Sequence, residues 1–347
     1  MTERAVRAVE GAANWRGPDL AGSTGWIYTL TEADVAEIDA ALAHAKAKGL
    51  RIPAISRADF PLPGLAPKLG RILDEIEHGR GFVLMRGLPV ARLGEADATT
   101  AYWGIGTYFG EVAPQNMMGD VLGHVRAIGG DWNRNFNIRG YQTTVHLPFH
   151  CDKSDMVGLL CLHTAKAGGA SCIASSVAIH NEILRTRPDL LEVLYEDFCI
   201  DHRGEQFDGE APWYAAPVFA LHKGRFFARF GQQYVKSAQR FPEVPRLTAA
   251  QAKALDLFSG LALSDAFRLD MIFEQGDMQF LNNHLIVHSR DDYEDWPEPE
   301  RRRHLLRMLL FTEANRDVPD FARNLNEFIR RWGQEPRQSA LTDAAAD

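Results

Sequence analysis

Residues 145–152 read Val-His-Leu-Pro-Phe-His-Cys-Asp and place an imidazole and a carboxylate two positions apart, at His150 and Asp152. Because side chains alternate along an extended strand, these two groups share one face. A second histidine, His288, lies 136 residues beyond Asp152 and follows the apolar run 285–287. Two imidazoles and one carboxylate form the facial triad that holds ferrous iron and leaves the opposite coordination positions open. The sequence therefore predicts a metal site.

The metal site competes with simpler interpretations of the same residues. A His-x-Asp pair often arises by chance, and alone it is more often structural. Here the pair ends a polar segment and begins an apolar strand, where a buried carboxylate needs a partner or a metal. His284 is an alternative third ligand, because residues four apart on a strand share a face. We favour His288 for its spacing to Arg303 and Arg307.

Two arginines lie on a predicted strand near the C-terminal end of the chain. The run 304–310 is largely apolar, and alternation puts Arg303 and Arg307 on one face. An arginine that points into an apolar barrel is costly unless it pairs with an anion. A dicarboxylate such as 2-oxoglutarate supplies one, bound by two parallel hydrogen bonds that lysine cannot match. The alternative, a solvated basic turn, fits Arg301 and Arg302.

Short apolar runs bounded by glycine alternate with helical periodicities along the chain. Strands are predicted at 81–87, 121–128, 156–162, 171–176 and 304–312, and hairpins at 216–230 and 267–281. Helices are predicted at 31–49, 67–78, 97–110, 178–185, 188–195, 248–261 and 319–332. This pattern favours an α+β fold whose core is a double-stranded β-helix, or jelly roll, with flanking and inserted helices.

Composition limits the class of protein. The 347 residues are 46% hydrophobic and 24% charged, so we expect a globular chain and a single domain spanning 1–347, with a loose lead-in at 1–25 and a disordered tail at 337–347. A net charge of −8 argues against nucleic acid as a partner. No apolar run approaches the roughly 20 residues that cross a bilayer, and no secretory signal is seen. The four cysteines have no spacing typical of disulfide frameworks, which fits a reducing, cytoplasmic location. The sequence does not decide whether the chain forms a homo-oligomer.

The combination of motifs resembles the TauD/TfdA (taurine dioxygenase-like) family of Fe(II)/2-oxoglutarate-dependent dioxygenases. The family's His-x-Asp pair with a distant His is matched by His150, Asp152 and His288. The family places an arginine for the distal carboxylate of 2-oxoglutarate fifteen residues beyond the last His, and another at nineteen. Arg303 and Arg307 stand at those distances.

Further motifs extend this resemblance over about residues 80–312. In the family a hydroxyl group after a Gly-Gly turn contacts the co-substrate, and Ser171 stands in the similar stretch Gly-Gly-Ala-Ser, where Thr is usual. The intact Asp152 argues against a halogenase. The family's Trp-Asp-Asn-Arg before the last His is replaced at 281–284 by Leu-Asn-Asn-His, so substrate residues are not transferred from taurine dioxygenase.

The resemblance implies a clavaminate synthase-like jelly roll and a specific reaction. Oxidative decarboxylation of 2-oxoglutarate to succinate and CO2 would be coupled to hydroxylation, or a related oxidation, of a small polar or anionic metabolite. The implied cofactors are Fe2+, 2-oxoglutarate and O2. Two other classes stay open: a non-catalytic jelly-roll binding protein, and a cupin-like metal-dependent hydrolase or isomerase, which leaves Arg303 and Arg307 unexplained.

Residues around the predicted metal site supply candidate substrate contacts. The polar, aromatic segment 130–141 has no periodicity and is predicted as a loop over the metal, the alternative being a solvated surface loop. His146 lies four residues before His150 and is expected on the same strand face. The candidate substrate residues are His146, Asn116, Arg139 and Tyr141, with Gln115 and Asn137 as further polar candidates.

Overall fold

The computed structural model of this chain describes residues 7–129, 139–315 and 317–334. The helices are α1 (Gly17–Ala21), α2 (Glu32–Ala47), α3 (Ala66–Glu77), α4 (Val90–Gly106), α5 (Ser176–Thr186), α6 (Pro188–Leu194), α7 (Gln232–Ala238), α8 (Ala249–Leu263) and α9 (Asp320–Arg330). The strands up to residue 201 are β1 (Ile27–Thr29), β2 (Phe82–Arg86), β3 (Glu111–Ala113), β4 (Gly123–Val125), β5 (Leu147–His150), β6 (Met156–His163), β7 (Ala167–Gly168), β8 (Ser171–Ser175) and β9 (Asp197–Asp201). The later strands are β10 (Trp213–Pro217), β11 (Phe219–His222), β12 (Arg225–Ala228), β13 (Arg268–Met271), β14 (Met278–Asn282), β15 (Ile286–Arg290), β16 (Tyr293–Glu294) and β17 (His304–Phe311).

Two sheets form the core of the fold. The major sheet has the strand order β1-β2-β14-β6-β17-β3, and β4 also pairs with β17. The minor sheet has the order β13-β8-β15-β5. Every pair in both sheets is antiparallel except β1 with β2. Strands far apart in sequence thus become neighbours, and the predicted α+β jelly roll with inserted helices is confirmed.

Alternation along the strands separates the layers of the core. On β6, Val157 packs between the two sheets, whereas Met156 and Leu160 pack under the helices α2, α3 and α4. The outer face of the minor sheet is covered by α5, α6 and α8. Both faces of β6 are therefore buried. A strand that is buried on both faces has a nearly continuous apolar sequence. The inter-sheet layer is where the polar cavity opens.

Several helix ends follow the sequence signals. The Thr31 side chain accepts a hydrogen bond from the backbone N–H of Asp34, and the Thr248 side chain accepts one from the N–H of Gln251, as in a capping box. Helix α4 begins earlier than predicted, at Val90, and bends at Gly94, whose φ of 75° is left-handed. The three predicted helices α2, α4 and α8 are present, and α4 lies closer to the N-terminus than predicted.

The expectation of a loose lead-in at residues 1–25 is wrong for its described part. Trp15 is 5% exposed and donates a hydrogen bond from Nε1 to the carbonyl of Arg80 at 2.8 Å. Gly17 donates its N–H to the carbonyl of Phe267. Polar, Gly-rich composition suggested a loose segment, but one buried aromatic ring and backbone pairing fix it to the sheets. The tail at 337–347 lies outside the described residues.

The hairpin predicted at 267–281 is also wrong. Strand β13 pairs with β8 in the minor sheet, and β14 pairs with β2 and β6 in the major sheet. The intervening residues 272–277 therefore cross between sheets. Gly276 has a φ of 90°, and a Cβ there would lie 2.0 Å from the carbonyl oxygen of Leu88, so the glycine serves a close backbone approach. The hairpin at Lys223-Gly224 between β11 and β12 is confirmed.

No helix within residues 7–129, 139–315 and 317–334 is long and apolar enough to cross a membrane.

Candidate active site

The three predicted metal ligands converge between the sheets. His150 ends β5 and pairs directly with His288 of β15 in the sheet register, and Asp152 follows two residues later. The ligand atoms of the three side chains lie within 4.8 Å of one another. His288 Nε2 is 3.5 Å from Asp152 Oδ2, and the two imidazole centroids are 4.3 Å apart. The jelly roll therefore joins side chains that are 136 residues apart.

The donor atoms fit a divalent metal ion. Asp152 Oδ2 is buried and has no hydrogen-bond partner among the described residues, a costly arrangement unless a cation occupies the space beside it. His150 Nδ1 lies 2.8 Å from the carbonyl oxygen of Pro148, so it donates there and leaves Nε2 for a metal. The rival ligand His284 points elsewhere, with Nε2 3.0 Å from Asp155 Oδ1. The geometry thus favours His288 as the third ligand.

Burial sets the protonation of these groups. Burial lowers the pKa of His150, and burial together with the neighbouring His150 lowers the pKa of His288 to about 3. Burial alone would raise the pKa of Asp152, but Arg307 and the two histidines lower it. Near neutral pH both imidazoles are therefore neutral and the carboxylate is ionised, the state that a metal requires of its ligands.

Arg307, predicted together with Arg303 and Ser171 to bind 2-oxoglutarate, faces the cavity as the alternation of β17 predicts, and its guanidinium pairs with the predicted metal ligand Asp152. Its Nη1 lies 2.9 Å from Asp152 Oδ1, and its Nε donates to Oε1 of Gln115 at 2.9 Å. The guanidinium carbon lies 5.0 Å from the centroid of the Tyr141 ring. One carboxylate oxygen of Asp152 is thus held by Arg307, and the other is left for the metal.

Arg303 and Ser171 lie in a second part of the same cavity. Arg303 is 5% exposed, and its Nη1 finds no hydrogen-bond partner in the part of the chain that the structure describes. Gly169 has a φ of 72° and no side chain, so the Arg303 guanidinium can pack against its backbone; a Cβ there would lie only 3.3 Å from Arg303 Nε. Ser171 Oγ is buried and lies 3.3 Å from Oε1 of Gln279. A buried guanidinium with a free N–H is suited to an anionic ligand.

Arg290 is a cavity residue that the sequence reasoning missed. It lies opposite Ser171 in the β15–β8 register and is 5% exposed. Its Nε and Nη2 donate to backbone carbonyls, while Nη1 has no partner among the described residues. Burial and the nearby Arg303 lower its pKa to about 10. The signal was present: Arg290 is two residues beyond His288, so alternation puts both on the inner face.

Two further residues hold the backbone of the metal-ligating segment. Asn283 accepts a hydrogen bond from the N–H of Asp152 at 3.1 Å through Oδ1, and Arg229 donates to the carbonyl of Asp152. Arg229 also donates to the hydroxyl of Tyr214 at 3.0 Å. No sequence signal identifies these contacts. They orient a metal ligand, and such outer contacts tune affinity.

The four predicted substrate residues divide into two pairs. Arg139 and Tyr141 line the cavity, and so does Gln115. His146 does not: its side chain is 39% exposed and lies 3.8 Å from Asp291. The register between β15 and β5 shifts between His150 and Leu147, so the alternation that starts at His150 does not extend to His146. That expectation is corrected.

Asn116 also lies away from the cavity, and it stabilises a turn. Its Oδ1 accepts the N–H of Met118 at 2.9 Å, and its Nδ2 donates to Asp120 at 2.8 Å. Asparagine often forms such local hydrogen bonds. Asn137 and most of the predicted overhanging loop, 130–138, lie outside the described residues.

A cluster of charged residues forms the wall of the cavity near Arg139. Glu205 bonds Nη2 of Arg139 at 2.9 Å and Nζ of Lys153 at 2.9 Å. Burial would raise the pKa of Glu205, but Lys153 and Arg139 lower it, so it is ionised. Tyr234 and Arg203 line the same wall. Two cations therefore share one carboxylate here, which leaves a positive charge toward the cavity.

Comparison with known proteins decides the family. The family model for the taurine catabolism dioxygenase TauD, TfdA family matches residues 45–309, well over half of the chain. The chain belongs to the TauD/TfdA family. It is thereby a dioxygenase that uses iron(II) and 2-oxoglutarate, and His150, Asp152 and His288 form a donor set that could hold that iron.

Relatives of this TauD/TfdA protein cover nearly its whole length. It is similar to FR-33289 synthase of Streptomyces rubellomurinus (strain ATCC 31215), with 31% identity over 96% of this chain and 98% of that protein. It is also similar to the taurine hydroxylase-like protein SAT17 of Stachybotrys chartarum (strain CBS 109288 / IBT 7711), with 30% identity over 93% of this chain and 87% of that protein.

Solved structures share the fold of this TauD/TfdA protein. Asparagine oxygenase in complex with Fe(II), 2S,3S-3-hydroxyasparagine and succinate superposes with a TM-score of 0.65 at 17% identity, over 82% of this chain and 93% of that chain. The non-heme iron oxygenase OrfP in complex with Fe and alpha-ketoglutaric acid gives a TM-score of 0.61 at 17% identity, over the same shares. At this level of identity the likeness establishes the jelly-roll architecture.

Proposed function

We propose that this dioxygenase hydroxylates a small metabolite that carries an anionic group. The observation that supports this substrate class is the charge of the cavity wall. Leaving Arg203 aside, six cationic side chains line it, against two carboxylates, among the described residues: Arg139, Lys153, Arg229, Arg290, Arg303 and Arg307, with Asp152 and Glu205. This excess of four positive charges is unchanged once Fe2+ and the dianionic co-substrate are both bound. A buried cation is stable when an anion accompanies it, so the substrate is expected to supply one.

The co-substrate is expected to occupy the part of the cavity next to Arg303. The Nη1 atoms of Arg303 and Arg290, which have no hydrogen-bond partner in the described part of the chain, and the hydroxyl of Ser171 would bind its distal carboxylate. Both guanidinium carbons lie about 5 Å from the ring centroid of Tyr293, at 4.8 Å for Arg290 and 5.1 Å for Arg303. The charge of Arg303 lowers the pKa of Arg290, so the two cations repel one another, and a carboxylate bound between them would relieve that repulsion.

The substrate anion is expected on the opposite wall, near Arg139 and Lys153. These two cations share Glu205, so one positive charge is left for a ligand. Tyr141 and Tyr234 line the same wall and offer hydroxyl groups that could fix the orientation of the substrate. The anion would then hold a C–H bond near the metal.

Bound iron and 2-oxoglutarate supply the oxidising chemistry, and the protein supplies position and exclusion of water. His150, Asp152 and His288 are the residues that would hold the iron. Arg307 holds Asp152 Oδ1 and thereby leaves Oδ2 for the metal. The apolar layer between the sheets keeps bulk water from that side of the cavity.

A substrate panel tests the anion preference. Succinate formation is measured with Fe(II), 2-oxoglutarate and small metabolites that carry a carboxylate, phosphate or sulfonate, each paired with its amide or ester. We expect kcat/KM to be about 10- to 150-fold higher for the anionic member, since a hydrogen bond to a charged group contributes roughly 1.5–3 kcal/mol. In Arg139→Gln that preference should shrink, whereas the exposed Arg92→Gln should keep it. Equal turnover of neutral analogues would contradict the proposal.

We also propose a reducing, cytoplasmic setting and one catalytic domain. The four cysteines Cys151, Cys161, Cys172 and Cys199 are all free thiols in the structure, which supports the setting. The similarity to FR-33289 synthase over almost the full length of both proteins supports the single domain.

A further inference from the structure

A second set of two histidines and one carboxylate lies outside the catalytic cavity. His124 belongs to β4, His304 to the start of β17, and Glu95 to α4. Their ligand atoms lie within 4.8 Å of one another. His304 lies on the face of β17 that the helices cover, whereas Arg303 and Arg307 lie on the cavity face. This group is therefore separate from the catalytic triad.

The two imidazoles of this group approach each other closely. His124 Nδ1 lies 2.8 Å from His304 Nε2, and the ring planes are inclined by 29°. Two metal–nitrogen bonds of about 2.1 Å at a right angle separate the nitrogens by roughly 3.0 Å, whereas a tetrahedral angle separates them by roughly 3.4 Å. The observed distance is closer to adjacent positions of an octahedral or square-planar ion, which is the preference of Ni2+ and Cu2+.

The environment suits metal binding. The His304 side chain is 8% exposed. Glu95 Oε1 lies 3.8 Å from His304 Nδ1, whereas Nε2 is the nitrogen that faces His124, so the exposed Glu95 carboxylate would have to turn toward an ion bound at Nε2. The exposed Glu95 and His124 leave the site open to solvent on one side, so an ion has an entry path.

We propose that Glu95, His124 and His304 form a second site for a divalent transition metal such as Ni2+. The ion would fix α4 to β4 and β17, the strand that carries Arg307 on its other face and directly follows Arg303. Its role is then to stabilise the sheet behind the co-substrate pocket. The competing account of the 2.8 Å contact is a plain N–H···N hydrogen bond between the two rings.

Metal counting distinguishes the two accounts. The full-length protein is stripped with a chelator, titrated with Ni2+ by calorimetry, and analysed for bound nickel after gel filtration. We expect two ions per chain for the wild type and one ion for His150→Ala, which keeps the second site. We also expect one ion for His124→Ala and for Glu95→Gln; both residues are exposed, so these variants should fold. The exposed His44→Ala is the control and should keep two ions.

Binding to the second site should also be visible as stability. In the His150→Ala background, Ni2+ at 100 times its dissociation constant should raise the melting temperature by several degrees, and the additional Glu95→Gln change should remove that rise. A wild type that binds one ion, or His124→Ala and Glu95→Gln variants that still bind two, would overturn the proposal. Because nickel is counted in the absence of 2-oxoglutarate, this result is independent of whether the anionic substrate class is right.

Discussion

His150→Ala is expected to abolish iron-dependent conversion of 2-oxoglutarate to succinate and to weaken Fe(II) binding by more than about 100-fold. Loss of residues that merely orient metal ligands costs 10- to 100-fold, so loss of a ligand should cost more. The variant removes one of three donor atoms that lie within 4.8 Å of one another. Fe(II) affinity is measured anaerobically by calorimetry, and turnover by succinate release.

A matched control for this variant is His146→Ala. His146 lies four residues away on the same segment, but its half-exposed side chain is outside the cavity. Fe(II) affinity and turnover should therefore stay within twofold of the wild type. If His150→Ala keeps full Fe(II) affinity while remaining folded, the proposed ligand set is incorrect. If His146→Ala loses turnover, the placement of His146 outside the site is incorrect.

Arg303→Met is expected to raise KM for 2-oxoglutarate by roughly 10- to 150-fold and to change kcat much less. Methionine keeps the length of the side chain but removes the hydrogen bonds to the co-substrate, and each such bond to a charged group contributes roughly 1.5–3 kcal/mol. Because the distal carboxylate is remote from the reacting end, binding is lost more than catalysis. Steady-state kinetics with varied 2-oxoglutarate measures the split between KM and kcat.

Two neighbouring arginines serve as comparisons. Arg302→Met changes an exposed guanidinium next in the chain and should leave KM unchanged. Arg307→Met should mainly weaken Fe(II) binding, because Arg307 pairs with Asp152 Oδ1 at 2.9 Å. An Arg303→Met enzyme with an unchanged KM for 2-oxoglutarate, or an Arg307→Met enzyme in which that KM alone rises, would reverse the roles proposed for the two side chains.

Strand alternation was the strongest source of prediction from the sequence. It placed His150 with Asp152, and Arg303 with Arg307, on shared inner faces, and the structure shows all four lining one cavity. The same rule failed at His146, where the register between β5 and β15 is irregular and the phase of alternation is lost. It was not applied to Arg290, although that residue is two positions beyond His288.

Contacts between distant segments were beyond sequence reasoning. Asp152 bonds Arg307 across 155 residues and Asn283 across 131 residues. Glu205 joins Arg139 and Lys153 through a loop whose position depends on the whole fold. Such pairs carry no local signal, because neither periodicity nor capping chemistry links residues that meet only after the sheets have formed. The same limit explains why the hairpin predicted at 267–281 is wrong. Gly276 allows the backbone to approach Leu88 closely, and no local sequence pattern indicates that contact.

The most direct measurement is an anaerobic crystal structure of the wild type with Fe(II) and 2-oxoglutarate. We predict iron about 2.0–2.2 Å from His150 Nε2, Asp152 Oδ2 and His288 Nε2, with the distal carboxylate of 2-oxoglutarate on Arg303 and the proximal end on the metal. Iron at any other group of residues, or a co-substrate with no contact to Arg303, would contradict the account.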